Sequence, residues 1–116
     1  MKKFIIGETD KLDIDYENIV TDFSIVEDGK HIGDLKISIE NDTCNLLYIS
    51  IKEEYKRNKY ATKTIEQLNK KYTIIGDCLP KEDSISFWRS MGAEFDEEVI
   101  IEECIKYNSC IPFLLY

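Results

Sequence analysis

The sequence is poor in the residues that several functional classes require. It holds one histidine, His31, and four cysteines, Cys44, Cys78, Cys104 and Cys110, with no C-x-x-C pair among them. Zinc centres are built from clustered Cys and His, so no metal site is expected. Scattered thiols do not make the dense staple of a small secreted domain either. They read as reduced cysteines filling strands in a cytoplasmic protein. No apolar run approaches the about 18 residues of a membrane-spanning helix. The N-terminal stretch Phe4-Ile5-Ile6 is cut short by Glu8 and Asp10, unlike a secretion signal. Cations are scarce as well: 15 Lys and Arg face 23 Asp and Glu, for a net charge of −8. That balance argues against general attraction to nucleic acid or to an anionic membrane, both of which bind through excess Lys and Arg. A cationic partner is electrostatically easier.

What is present describes one soluble domain spanning residues 1–116, with 43% hydrophobic and 11% aromatic residues. Lys3 to Glu8 reads as a short strand, and Lys11 to Asn18 as an acidic connection with room for one helical turn. Phe23–Glu27 and His31–Glu40 flank Asp28-Gly29, a hairpin signal, because that dipeptide tolerates positive φ. Asn41-Asp42 marks the next turn, and Cys44–Ile51 a further strand. A helix is expected over Glu53–Lys71 from the spacing of Tyr60, Ala61, Ile65 and Leu68. Tyr72–Cys78 reads as a strand, and Lys81–Met91 as a helix ended by Gly92. Glu97–Tyr107 fits either a helix or a strand, and Ile111–Tyr116 a final strand. The whole is an α/β chain whose mixed, mostly antiparallel sheet is crossed by helices.

The most informative stretch runs from the apolar strand Leu46–Ile51 into Glu53-Glu54-Tyr55-Lys56-Arg57-Asn58-Lys59-Tyr60-Ala61-Thr62, with no Gly or Pro between. Cations at a helix start oppose the helix dipole. Here Lys56, Arg57 and Lys59 crowd one such start in an otherwise acidic chain, an arrangement that suits a phosphate-bearing ligand whose oxygens also meet free backbone N–H groups.

From about Phe23 to Tyr116 the chain resembles the GNAT superfamily of N-acetyltransferases. Three stretches carry the likeness. The hairpin Val26–Gly33 resembles the second and third strands of that fold, Ile51–Thr62 its pyrophosphate-binding motif, and Ser84–Phe95 its fourth helix with the strand after it. The resemblance implies acetyl-CoA as co-substrate and an acyltransferase that acylates an amine by direct attack. It implies a phosphate cradle at Lys56, Arg57, Asn58, Lys59, Tyr60, Ala61 and Thr62. It further implies a pantetheine path along Ile49, Ser50 and Ile51, opposite Asp77 and Cys78 across a splayed gap. Two positions depart from the family pattern. Lys59 stands where the motif has its central Gly, and Trp88 where a Tyr usually protonates the departing thiolate; an indole N–H donates a hydrogen bond but is no practical acid.

Among bases for the acceptor amine, Asp34, Glu40 and Asp77 are candidates, with His31 further from the expected thioester, and Tyr48 and Tyr116 are candidates to orient the acceptor. The region between the first two strands, Asp10–Thr21, is too short for the helices that roof the acceptor site in the family. The acceptor side is therefore expected to be open and to take a small amine, a lysine side chain or a peptide N-terminus. The alternative is a non-catalytic GNAT-like module that senses coenzyme A or binds a protein. Exposed strand ends in so small a sheet leave a homodimer open.

Overall fold

Alternation of apolar and polar residues through the middle of the chain builds a sheet with one dry face. The computed structural model describes residues 2–8, 19–96 and 99–116. The connection Lys11–Asn18 lies outside the described residues. Seven strands follow as β1 (Lys2–Ile5), β2 (Thr21–Glu27), β3 (Lys30–Glu40), β4 (Thr43–Ile51), β5 (Thr73–Cys78), β6 (Glu94–Phe95) and β7 (Ile111–Leu115), with helices α1 (Tyr60–Asn69), α2 (Glu82–Ser90) and α3 (Ile101–Lys106). Their order across the sheet is β1-β2-β3-β4-β5-β7-β6. The β1/β2 and β4/β5 pairs are parallel and the other four antiparallel. The mixed α/β architecture expected above is the one observed.

The hairpins form where the turn chemistry places them. Asp28 and Gly29 both hold positive φ (50° and 77°), and Glu27 pairs directly with Lys30. A two-residue hairpin turn with both φ positive matches the right-handed twist of its strands. In the β3/β4 turn only the first central residue, Asn41 at φ 54°, is left-handed.

The dry face carries Phe23, Ile25, Leu35, Ile37, Cys44, Leu46, Ile74, Phe113 and Leu115, all buried. Helices α1 and α2 complete this core with Ile65 and Leu68, and Ile85 and Trp88, each pair three residues apart on one helix face. Each large side chain taken fully from water contributes about 1.5–3 kcal/mol, so these few anchors fix where the helices lie. Gln67 of α1 ties the helix to the end of β1: it accepts the Gly7 N–H at 2.7 Å and donates to the Ile5 carbonyl at 3.0 Å. Gly92, at φ 92°, ends α2, and the Ala93 N–H returns to the Trp88 carbonyl at 3.0 Å. Within the stretch Glu97–Tyr107, residues Ile101–Lys106 are helical. None of the described helices is long and apolar enough to cross a membrane.

Candidate functional site

A fork in the sheet creates the site. Strands β4 and β5 pair from Thr43 and Thr73 only as far as Leu46 and Gly76. Beyond that rung β4 stays with β3, Ile51 lying opposite Gly33, while β5 stays with β7, Cys78 lying opposite Ile111. A bulge starts the divergence. Lys36 pairs with Tyr48 and the next residue, Ile37, with Leu46, so Leu47 is the extra residue on β4. An extra residue bends its strand and increases the local twist. Gly33 then holds β3 tight against β4, since a Cβ there would collide with the Ser50 carbonyl. From Leu47 to Ile51, β4 has no strand partner on its β5 side among the described residues.

The space between the diverging strands is a cavity of about 780 Å³. Its mouth is the loop before α1. The helix expected from Glu53 onwards is broken there: a short 3-10 turn covers Glu53–Tyr55, and α1 begins at Tyr60. The break comes from Arg57 (φ 75°) and Lys59 (φ 59°), both left-handed. An L-residue with a side chain in that region costs about 1–2 kcal/mol. The Asn58 side chain closes the turn by donating to the Tyr55 carbonyl at 3.1 Å.

The first main-chain bond of α1 runs from the Lys63 N–H to the Lys59 carbonyl at 2.9 Å, and no side chain caps the helix. The N–H groups of Tyr60, Ala61 and Thr62 are thus left for an outside acceptor, at the positive end of the helix dipole. Lys56 is ion-paired with the exposed Glu53 at 3.0 Å. Arg57 and Lys59 make no ion pair among the described residues. The mouth is therefore cationic and rich in unclaimed donors. Tyr60 packs edge-on against Tyr55, with ring centres 6.2 Å apart. Burial of its hydroxyl, followed by a hydrogen bond to Glu27, raises the Tyr60 pKa above the ordinary phenol value.

The far end is aromatic. Trp88 stacks on Phe113 with centroids 4.0 Å apart, and Phe87 meets Trp88 edge-on at 5.0 Å. Trp88 is at once a core residue and part of the cavity wall. Asp77 stands exposed at the rim of the fork, and Asp83 lines the same cavity from the first turn of α2.

The structure gathers Ile49, Ser50, Ile51, Lys56, Arg57, Lys59, Tyr60, Ala61, Thr62, Asp77, Trp88 and Tyr48 around this one space. Asn58 is not in its lining and serves the turn instead. Cys78, on the strand opposite, is turned into the core, and its thiol donates to the Leu79 carbonyl at 3.2 Å. Burial, and next the neighbouring Cys110, raise its pKa. His31 and Asp34 pair with each other at 3.0 Å away from the cavity lining. Glu40 lies beside the β3/β4 turn and Tyr116 just beyond the end of β7, so neither reaches the site. Sequence reasoning missed Tyr55, Leu79, Asp83, Ser84 and Phe87, which also line it. The acidic first turn of α2, adjoining the C-terminal end of β5, was the signal available for Asp83 and Ser84.

Solved acetyltransferases share this overall fold. A putative GNAT-family acetyltransferase from Bacteroides thetaiotaomicron matches with a TM-score of 0.67 over 93% of this chain, at 15% identity. The ribosomal-protein-S18-alanine N-acetyltransferase from Escherichia coli matches with a TM-score of 0.62 over 86%, also at 15% identity. The fold is that of the GNAT superfamily. The PaiA N-acetyltransferase from Thermoplasma acidophilum, solved with coenzyme A, is a further GNAT-fold neighbour, with a TM-score of 0.59 over 76% of this chain at 16% identity. The chain spans 55% of that PaiA chain, against 65% and 70% of the Bacteroides and Escherichia chains. No protein-family model matches the sequence, and no curated protein does.

Proposed function

We propose that this GNAT-fold chain is an N-acetyltransferase that moves an acetyl group from acetyl-CoA to an amine by direct attack. The observation that carries the reading is the fork: the unpaired length of β4 from Leu47 to Ile51 ends beside three free helix-start N–H groups and the cations Lys56, Arg57 and Lys59. Such an arrangement suits a ligand with an amide-bearing arm and a pyrophosphate head. The arm pairs with the main chain at Ile49, Ser50 and Ile51, while the head lies on the N–H groups of Tyr60, Ala61 and Thr62. PaiA and the Naa50 of Arabidopsis thaliana, another GNAT-fold neighbour, were solved with coenzyme A and with a CoA-containing bisubstrate analogue respectively, which supports this use of the fork.

The chemistry follows from what the far end offers. An ammonium is no nucleophile, so a base must take its proton first. Asp77, the exposed carboxylate at the rim, does so directly or through a water. The amine nitrogen then bonds to the thioester carbon and gives its second proton to water, the carbon–sulfur bond breaks, and the thiolate leaves. With Trp88 at the wall in place of a phenol, that thiolate takes its proton from solvent.

Isothermal titration with acetyl-CoA tests the reading. Micromolar binding by the wild type, lost in the Lys56→Glu, Lys59→Glu double variant, is the expected result, followed by turnover with an amine. A wild type that ignores the coenzyme would refute it. Binding without turnover on any amine would favour the second reading, a coenzyme-binding module, for which Trp88 and the non-glycine Lys59 speak.

A further inference from the structure

Around the fork, no described residue covers the sheet face opposite the core. That face carries Leu47 (47% exposed), Tyr48 (53%) and Ile75 (38%), together with the exposed Pro112 and the half-buried Leu114, while the exposed Tyr116 lies beyond Leu115 at the end away from the fork. The register aligns them: Ile75 lies opposite Leu114, Asp77 opposite Pro112, and Glu94 opposite Leu114. Leu47, Tyr48 and Asp77 also line the cavity, so the strip continues into the fork. Interrupted by Asn45 opposite Ile75, these side chains form an apolar strip rimmed by charge, the character of a docking surface.

Building on the acetyl-transfer reading, we infer that this face docks a protein or peptide acceptor, whose amine enters at Asp77 while flanking apolar side chains cover Ile75, Pro112 and Leu114. Charge selects this occupant. Asp77 and Glu94 border the strip without an ion pair among the described residues. Lys36, on the same face, lies 3.7 Å from Asp22. A second copy, itself at −8, would bring the same uncompensated carboxylates against these, whereas a lysine-bearing segment neutralises them. A small amine would occupy only the Asp77 end and leave the apolar strip wet.

Fluorescence anisotropy reads docking without the coenzyme. The probe is a labelled peptide with one lysine between leucine and valine residues; its control carries glycine and serine in their place. The apolar peptide is expected to bind saturably and the control far more weakly. Ile75→Lys should weaken binding about tenfold or more, and Glu94→Lys should weaken it too, with acetyl-CoA affinity and thermal stability unchanged in both. In the transfer assay the same variants should raise KM for the peptide and leave turnover of a small alkylamine as it is. Equal binding of the two peptides, or indifference to both substitutions, would overturn the inference. So would a wild-type dimer in sedimentation equilibrium that Ile75→Lys splits, because the strip would then belong to a second copy. Peptide docking that persists in a protein unable to bind acetyl-CoA would sink the transferase reading alone.

Discussion

Lys59 holds a backbone shape that its side chain disfavours, at the point where the cradle needs its N–H groups exposed. Replacing it by glycine removes the left-handed penalty of about 1–2 kcal/mol, while the freer unfolded chain takes back about 0.5–1 kcal/mol. Lys59→Gly is therefore expected to match or slightly exceed the wild-type Tm. Lys59→Val, which branches at Cβ, should lower stability by about 1–2 kcal/mol; thermal denaturation followed by circular dichroism compares the two. Trp88 poses the complementary question. Trp88→Tyr keeps an aromatic ring against Phe113 and adds an ionisable hydroxyl at the cavity wall. If departure of the thiolate limits the rate, this variant should raise kcat several-fold and add a basic limb to the pH–rate profile, which steady-state kinetics from neutral pH upwards would reveal. An unchanged kcat would mean that proton delivery to sulfur is not limiting.

Strand β4 joins the core to the site, and its first half can be titrated. Cys44, wholly buried opposite Ile74, has its thiol pKa pushed by burial from the ordinary 9.0 to about 12. Below pH 9 the thiol is protonated in both the folded and the unfolded chain and adds no pH dependence. Between about 9 and 12 only the unfolded chain releases the proton, so stability falls with rising pH, by about 4 kcal/mol across the window. Chemical denaturation from pH 8 to 11 should show a steeper loss for the wild type than for Cys44→Ala, the difference separating Cys44 from Tyr72, whose pKa burial also raises. The elements themselves were legible in sequence to different degrees. Asp28-Gly29 and Asn41-Asp42 announced their turns because positive φ has a residue signature. The start of α1 did not, since Arg57 and Lys59 are left-handed without being glycine, and periodicity alone carried the helix back to Glu53. The bulge at Leu47 was equally hidden. An extra residue in an apolar run leaves its composition unchanged, and only pairing with β3 exposes it. The basic run at Lys56–Lys59 stood out in the sequence because its charge contradicts the rest of the chain, and Lys56, Arg57 and Lys59 line the cavity at the fork.

At the scale of the whole molecule, the net charge of −8 acts on both substrates of the proposed reaction. It draws a cationic acceptor from a distance and repels the anionic donor, which only the local cations at the mouth recruit. Raising ionic strength from about 0.01 M to about 0.15 M shortens the screening length from about 30 Å to about 8 Å. The acceptor kcat/KM should therefore fall across that range, and more steeply for a doubly charged acceptor than for a singly charged one, in initial-rate assays at saturating acetyl-CoA. The fork has a mechanical meaning as well. Four rungs, Thr43 to Leu46 against Thr73 to Gly76, are the strand pairing that joins the β1–β4 half of the sheet to the β5–β7 half among the described residues, and α1, bonded to β1 through Gln67 and to β7 through Asn69, spans both. Past those rungs the halves part like the legs of a compass, hinged at Leu46 and Gly76. A molecule lodged between the legs braces them, touching β4 on one side and β5 and α2 on the other. That brace adds to the bridge α1 already makes, so the same contacts that hold a ligand should raise the melting temperature of the whole domain as ligand concentration rises.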